Sequence, residues 1–162
     1  MPAATELYCK VEVPKGAPVF HARWGEAGKA AQAELRCPAD WCHFPDTIAR
    51  HGTPLAAIVC VSHPGAPGVQ IAVRPIALLR TYDTAGYEEI VVCVPVGDSA
   101  WEAVESIHEI PRALREEIER FASRREPRRM RVVIAGWLSR EEAMTAIDDA
   151  AARWAASVNG RG

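Results

Sequence analysis

Short apolar or alternating runs, each closed by a turn signal, fill the first two thirds of the chain and limit its fold more than any other feature. Residues 7–13 place every second side chain on one apolar face, and a Pro-Lys-Gly turn ends the run. A longer strand pattern over 69–82 contains Pro75, which indicates a bend or a position at a sheet edge. The turn 83–86 connects it to the run 88–95. These two runs predict a β-hairpin.

The last third of the chain changes to helical spacing. Apolar residues recur every three or four positions after Pro111, a residue that suits the first turn of a helix. A strand pattern follows over 131–137, and Ser139 then opens a capping box that Glu142 completes. An apolar stripe predicts a second helix up to Gly160. The stripe consists of Ala143, Ile147, Ala150, Ala151, Trp154 and Val158. Strands first and helices last predict an α+β fold with a small barrel-like sheet.

The length of the chain and its balance of charges exclude several function classes. Its 162 residues suit a single domain over 1–162, and 49% apolar with 25% charged residues are typical of a packed fold. A net charge of −2 supplies no basic field, so neither nucleic acid nor a membrane is expected as a partner. The first residues lack an apolar core of signal-peptide length, which favours a cytoplasmic protein. The five cysteines include no Cys-x-x-Cys pair, so neither a disulfide framework nor a structural zinc knuckle is expected, and Cys60 and Cys93, which lie inside apolar runs, are predicted to be buried free thiols.

Several ordered segments carry a resemblance to a known family. They are Val11-Glu12-Val13-Pro14-Lys15-Gly16, Phe44-Pro45-Asp46-Thr47, Gly52-Thr53-Pro54-Leu55, Val73-Arg74-Pro75-Ile76, Asp83-Thr84-Ala85-Gly86, Val92-Cys93-Val94-Pro95-Val96 and Gly136-Trp137. In this order, from about Leu7 to Trp154, the chain resembles the soluble family I inorganic pyrophosphatases. The resemblance implies a five-stranded, OB-like β-barrel flanked by two C-terminal helices. Members of that family are magnesium enzymes that hydrolyse pyrophosphate.

The same resemblance implies that this chain departs from the chemistry of the family. The signature Asp-x-Asp-Pro-x-Asp, whose carboxylates hold Mg²⁺ and help to deprotonate the attacking water, falls on His51-Gly52-Thr53-Pro54-Leu55-Ala56. All three carboxylates are replaced, and hard cations need charged oxygen ligands. In the hairpin, one aspartate is kept as Asp83, a second becomes Glu88, and a lysine becomes Ile90. At the other matched positions the family has a lysine and a glutamate where this chain has Phe20 and Ala22, and an arginine where it has Lys29. Two tyrosines of the family correspond to Cys37 and Trp41, and a tyrosine–lysine pair corresponds to Arg124 and Arg125.

These replacements favour a pyrophosphatase-fold protein that has lost Mg²⁺-dependent hydrolysis. Pyrophosphate carries roughly three negative charges at neutral pH, and each is costly to desolvate without a partner. A cavity lined by Phe20, Trp41, Ala56, Ile90 and Cys37 suits a less charged small molecule, so we expect no metal cofactor. Zn²⁺ is an alternative that the spacing of the histidines does not support. The predicted catalytic residues are His51, Glu12, Asp83 and Glu88. The predicted ligand-binding residues are Phe20, Lys29, Cys37, Trp41, Thr53, Ile90, Arg124 and Arg125.

Several interpretations stay open. His51 beside a carboxylate is a workable general acid or base, or it caps a turn. Cys37 is a nucleophile next to that histidine, or it fills the space of a larger ring. Glu12 points away from the apolar face of its strand, which the resemblance implies is toward the active site. The whole chain is a repurposed enzyme or binder, a non-catalytic scaffold, or a divergent pyrophosphatase with weak metal-dependent activity. It is expected to form a homo-oligomer.

Overall fold

The computed structural model gives the fold over residues 6–18, 35–84, 86–124 and 132–160. The strands are β1 Leu7–Val13, β2 Asp40–His43, β3 Ala56–Val59, β4 Gln70–Asp83, β5 Gly86–Pro95 and β6 Val133–Leu138. The helices are α1 Arg112–Arg124, α2 Arg140–Asn159 and a one-turn 3-10 helix at Ile107–Glu109. Among the helices within these ranges, none is both long and apolar enough to cross a bilayer.

The strands form one mixed sheet that closes on itself. Its order is β1-β2-β3-β5-β4-β6, and β1 also pairs with β4, so five strands complete a ring to which β6 is added beside β4. Strands β3 and β5 are parallel, whereas the other pairs formed by the described strands are antiparallel. The predicted α+β fold, with a five-stranded barrel and two C-terminal helices, is confirmed.

The hairpin of β4 and β5 follows its prediction, including the irregularity at Pro75. The register runs from Val73 opposite Pro95 to Asp83 opposite Gly86. It shifts between Pro75 and Ala77, because proline has no amide hydrogen for the ladder. The predicted bend is therefore a β-bulge.

Both predicted helices are present, and α1 begins one residue later than predicted. Helix α1 begins at Arg112, and the carbonyl of Pro111 accepts the amide of Arg115 at 3.1 Å. Pro111 therefore caps the helix rather than occupying its first turn. The hydroxyl of Ser139 accepts the amide of Glu142 at 3.3 Å, as the capping box predicts.

The apolar stripe of α2 is covered along only part of its length. Ala143, Ile147 and Ala150 are buried, whereas Trp154 and Val158 are exposed. The second half of the predicted stripe therefore extends beyond the barrel that the first half packs against.

Apolar side chains fill the fold on both sides of the sheet. Inside the ring, all five strands contribute buried residues and α2 covers them: Cys9, Val11, Cys42, Ala57, Val59, Val73, Leu78, Val91 and Cys93, with Ala143, Ala146, Ile147 and Ala150 of the helix. The opposite side, here called the α1 face, buries Ala56, Ile58, Ile76, Leu79, Ile90 and Val92 against Ile118, Phe121 and Ala122 of α1. Because side chains alternate along a strand, neighbouring residues belong to opposite layers.

Candidate functional site

The loop between β2 and β3 carries the segment that matches the family signature, and one threonine ties its two ends. The hydroxyl of Thr47 donates to the carbonyl oxygen of Phe44 at 2.5 Å and accepts the amide of Leu55 at 3.0 Å. Helix α2 holds the middle of the loop, since Arg153 donates to the carbonyl oxygen of Ile48 at 2.8 Å. These hydrogen bonds fix the loop on the barrel.

His51 and Glu88 line one cleft between this loop and β5. Nε2 of His51 lies 3.0 Å from the carbonyl oxygen of Tyr87, and because a carbonyl only accepts, Nε2 is the donor. Nδ1 of the neutral ring is then a hydrogen-bond acceptor. The remaining lining residues are Ala49, Arg50, Leu55, Tyr87, Glu89, Ala146 and Arg153. The structure thus brings His51 and a carboxylate to one cleft, together with two guanidinium groups.

Two arginines and a glutamate surround Tyr87 in and beside this cleft. The guanidinium carbons of Arg50 and Arg80 lie 4.5 and 4.8 Å from the centre of the Tyr87 ring. Arg80 donates to Glu89 at 2.9 Å, and this hydrogen bond raises the pKa of Arg80 from its ordinary value. Arg50 lies 3.9 Å from the same carboxylate, with 53% of its side chain exposed. Arg50 and Arg80 therefore share the Glu89 carboxylate, one on each oxygen, and the exposed part of Arg50 faces solvent at the mouth of the cleft.

A hydrogen-bonded pair of titratable side chains lies on the α1 face. Nδ1 of His43 on β2 is 2.9 Å from Oε1 of Glu12 on β1. In the part of the chain that the structure describes, Glu12 is the only side chain hydrogen-bonded to this ring. The sequence analysis joins Glu12 and His51 in one site, whereas the direct partner of Glu12 is His43. Sequence reasoning missed this pair because it did not predict β2.

Between these two sites the α1 face is apolar. Ala56 on β3 and Ile90 on β5 are register partners, and only 8% and 0% of their surfaces are exposed. Trp41 meets Phe121 of α1 edge to face, with ring centres 5.6 Å apart. The predicted lining residues Trp41, Ala56 and Ile90 thus share one face. However, Ala56 and Ile90 belong to the packed core beneath α1 rather than to the wall of an open cavity.

Cys37 fills space in the same core. Burial raises the pKa of its thiol to about 12, and the nearby Asp40 acts in the same direction. Such a thiol stays protonated at neutral pH, so the thiolate that a nucleophilic cysteine needs does not form. The structure therefore favours the packing interpretation of Cys37 over the nucleophilic one. All five cysteines are free and buried, as predicted for Cys60 and Cys93.

The remaining predicted site residues lie on the hairpin turn, in the loop between β2 and β3, and at the end of α1. Asp83 ends β4 opposite Gly86 at the hairpin turn. Thr53 is exposed in the loop, and its carbonyl oxygen accepts the amide of Ala49 at 2.6 Å. Arg124 is the exposed last residue of α1. Phe20, Lys29 and Arg125 fall outside the described residues.

Comparison with known proteins connects this architecture to one family. The chain matches the family model for inorganic pyrophosphatase over residues 9–155. An inorganic pyrophosphatase of Methanosarcina mazei is 37% identical over 118 residues, which make up 72% of this chain and 70% of that protein. One from Leifsonia xyli is 33% identical over 141 residues, 82% of this chain and 86% of that protein. The solved structure of an inorganic pyrophosphatase from Coxiella burnetii has a TM-score of 0.79 at 28% identity, covering 92% of this chain and 95% of that one.

These matches correct the predicted cofactor. The sequence analysis predicts that the magnesium site is lost, that no cofactor is used, and that Zn²⁺ is an alternative. That prediction is wrong, because the matched relatives are inorganic pyrophosphatases, which depend on magnesium. The described residues nevertheless do not fit a magnesium centre by themselves. Within the four described ranges, no three His, Cys, Asp or Glu side chains lie together as a metal site, so no ligand set is assigned from them.

Proposed function

Because the chain belongs to the inorganic pyrophosphatase family, we propose that it is a divergent inorganic pyrophosphatase that hydrolyses pyrophosphate slowly with Mg²⁺. The observation that carries this proposal is the family match over residues 9–155. The barrel with its two C-terminal helices supports it, since the same architecture is found in the solved inorganic pyrophosphatase from Coxiella burnetii.

The polar groups at the mouth of the cleft beside β5 support an anionic ligand such as pyrophosphate, which would lie at the surface because the cleft encloses only about 10 Å³. A diphosphate needs cationic or hydrogen-bonding partners once it leaves water. Arg50 supplies an exposed guanidinium, and His51 supplies a ring whose Nε2 is fixed by the carbonyl of Tyr87. In this proposal Arg50 binds the anion, and His51 with Glu88 lies beside the bound phosphate.

The slow rate follows from the side chains at the family's charged positions. Ala56 and Ile90 form a buried apolar pair where the resemblance implies a carboxylate and a lysine. His51 and Thr53 replace two further carboxylates. Because the loss of one preorganised electrostatic contact lowers kcat by about 10²–10³-fold in other enzymes, several replacements together are consistent with weak activity.

A family member that binds a less charged small molecule without cleaving pyrophosphate is the second candidate. Ala49, Leu55 and Ala146 give the cleft an apolar wall, and this observation favours it. An apolar wall with a few convergent polar groups is typical of small-molecule sites. A non-catalytic scaffold is the limiting case in which the cleft binds nothing.

Phosphate release from pyrophosphate tests the proposal directly. With Mg²⁺ we expect release above that in EDTA, at a kcat at least roughly 10²-fold below that of an ordinary family enzyme assayed in parallel, because positions 51, 53 and 56 lack carboxylates. Mn²⁺ and Zn²⁺ are tested in the same series. Arg50→Gln should raise KM, whereas Arg112→Gln, an exposed change on α1, should not.

The outcomes of this assay separate the candidates. Turnover close to that of the ordinary enzyme contradicts the divergent part of the proposal. No release above the EDTA level with any of the three metals contradicts the activity itself and favours the second candidate.

We also propose that the chain is a cytoplasmic homo-oligomer. Trp154 and Val158 lie one turn apart on α2 and are 36% and 47% exposed, and exposed apolar residues of this kind are often covered in assemblies. Five free thiols suit a reducing compartment. Light scattering after size-exclusion chromatography should give a multiple of the chain mass, and Trp154→Glu should reduce it. A monomeric wild type would contradict the oligomer.

A further inference from the structure

The end of the hairpin of β4 and β5 carries two cross-strand pairs of polar and aromatic side chains. Arg80 is opposite Glu89, and Tyr82 is opposite Tyr87. Because alternate residues of a strand point to the same side, all four side chains lie on one face of the hairpin. The rings of Tyr82 and Tyr87 meet edge to face, with their centres 5.7 Å apart. The hairpin therefore builds this face from its own strands, next to the cleft.

The ring of Tyr87 joins this face to the loop between β2 and β3. Arg50 belongs to that loop, and its guanidinium carbon lies 4.5 Å from the centre of the Tyr87 ring. The guanidinium carbon of Arg80 lies 4.8 Å from the same centre. Arg80 is anchored on the hairpin by its hydrogen bond of 2.9 Å to Glu89. The residues of the two strands thus form a fixed base on which the loop residue Arg50 rests.

Glu89 by itself holds Arg50 only weakly. Nε of Arg50 is 3.9 Å from Oε1 of Glu89, which is longer than a hydrogen bond, and an exposed ion pair contributes little. A guanidinium over the face of a tyrosine gains a further attraction. This contact leaves the N–H donors, which lie in the plane of the guanidinium, accessible. We therefore expect the Tyr87 ring to orient the Arg50 side chain, 53% of which is exposed.

Tyr87 also contacts His51, but through its backbone. The carbonyl oxygen of Tyr87 accepts the hydrogen bond from Nε2 of His51 at 3.0 Å. A substitution of the Tyr87 side chain keeps this carbonyl in place. The contact with Arg50 can therefore be removed at the ring while the partner of His51 remains.

The charged groups around the cleft favour an anion. Among the described residues that line or adjoin it, Arg50, Arg80 and Arg153 carry positive charge, and Glu88 and Glu89 carry negative charge. One positive charge is thus in excess. Because the cleft encloses only about 10 Å³, an anion contacts the groups at its mouth rather than entering it.

We propose that Tyr87 is a positioning residue for pyrophosphate: its ring holds the Arg50 guanidinium at the mouth of the cleft, so that the N–H donors of Arg50 meet the oxygens of one phosphate group. This inference rests on the proposed function and names the residue that orients its anion-binding arginine. The ring moves no proton and contacts Arg50 rather than the reacting atoms. It therefore acts on affinity for pyrophosphate and not on the chemical step.

Kinetics with Mg²⁺ test this role at the ring. Tyr87→Leu should raise KM for pyrophosphate about two- to fivefold, which corresponds to one cation–π contact at an exposed site, and leave kcat unchanged. Because turnover is slow in the proposed function, KM follows the dissociation constant. Tyr87→Phe keeps the ring and should retain the KM of the wild type. Tyr8→Leu removes an exposed tyrosine from β1 and should also match the wild type.

A double-mutant cycle shows whether the ring acts through Arg50. Arg50→Gln alone should raise KM, and adding Tyr87→Leu to it should raise KM no further, because the guanidinium that the ring orients is already gone. An equal effect of Tyr87→Leu with and without Arg50 would overturn the positioning role. So would a rise in KM for Tyr87→Phe as large as that for Tyr87→Leu.

A second measurement does not depend on turnover. Titration calorimetry with pyrophosphate in EDTA, where the proposed reaction does not proceed, should give a dissociation constant about two- to fivefold higher for Tyr87→Leu than for the wild type. Tyr87→Phe should again match the wild type. Thermal unfolding shows whether each variant folds, and Tyr87→Ile replaces Tyr87→Leu if the latter does not.

The two measurements separate this proposal from the proposed function. If the wild type releases phosphate and Tyr87→Leu retains both its KM and its dissociation constant, the role of Tyr87 is wrong while the proposed function stands. If the wild type releases no phosphate with any metal but binds pyrophosphate in EDTA more tightly than Tyr87→Leu does, the anion site stands and the activity is wrong. If the wild type neither cleaves nor binds pyrophosphate, both are overturned.

Discussion

A variant with charged side chains at four replaced positions should release phosphate from pyrophosphate with Mg²⁺ at least roughly 10²-fold faster than the wild type. It combines His51→Asp, Thr53→Asp, Ala56→Asp and Ile90→Lys. The first three changes restore the family signature over residues 51–56. The barrel and the loop that carry these positions are already in place, because Thr47 and Arg153 hold the loop through contacts that the variant leaves intact.

The fourth change is needed because of where position 56 lies. Ala56 is 8% exposed and is the register partner of Ile90, which is fully buried. A carboxylate introduced there faces Ile90 on β5 and a His43 ring that is already hydrogen-bonded to Glu12, so Ala56→Asp alone should lower the free energy of unfolding by about 3–5 kcal/mol. Ile90→Lys alone should destabilise by a similar amount. The double variant should recover part of both losses, since the two charges face each other across neighbouring strands.

Denaturant unfolding and phosphate release, measured on the same preparations, separate the two effects. The control variant Ala56→Asn with Ile90→Met changes size at both positions without adding charge, and it should gain no activity. If the variant with all four substitutions folds and its rate of phosphate release with Mg²⁺ equals that of the wild type, the loss of these charged side chains does not explain slow hydrolysis by this chain. Stability losses that simply add in the double variant would contradict the pairing of positions 56 and 90.

The fold could be predicted from the sequence because most elements carry a strong local pattern. The alternation over 7–13, the turn at 83–86 and the capping box at Ser139 each specify their element independently of the rest. Strand β2 has no such pattern: its four residues Asp-Trp-Cys-His mix polar and apolar types, and it becomes a strand through its neighbours β1 and β3. Tertiary pairing therefore decides this element rather than local propensity.

In the candidate site, too, some features could be predicted from the sequence and others depend on tertiary packing. His51 and Glu88 could be assigned to one region because the resemblance supplies both positions, and the structure places them on one cleft. The partnership of Glu12 with His43 depends on the register of β2, and the cluster of Arg50, Arg80 and Tyr87 depends on how the loop packs against β5. Neither can be derived from spacing along the chain. The sequence also predicts that Ile90 lines an open apolar cavity, whereas the structure buries it beneath α1. How helix α1 packs on the sheet decides this, and that packing cannot be deduced from the sequence around Ile90.

Asp40→Ala should be among the most destabilising single changes, lowering the free energy of unfolding by about 3–5 kcal/mol. Asp40 is fully buried at the start of β2. Its two carboxylate oxygens accept the amides of Lys15 at 2.8 Å and of Gly65 at 2.9 Å, which joins two turns to the strand that bears His43. Alanine would leave both amides without their acceptor. Urea titration measures the loss.

Two related variants show whether this carboxylate acts through those hydrogen bonds. Asp40→Asn keeps one acceptor oxygen, so it should cost less than Asp40→Ala, and Asp148→Ala on the exposed side of α2 should change stability by less than about 0.5 kcal/mol. A β-carbon at Gly65 would lie 2.7 Å from the Asp40 carboxylate, so Gly65→Ala should also destabilise by pushing the turn away. A loss below about 1 kcal/mol for Asp40→Ala would contradict this account, because neutral hydrogen bonds alone contribute about that much.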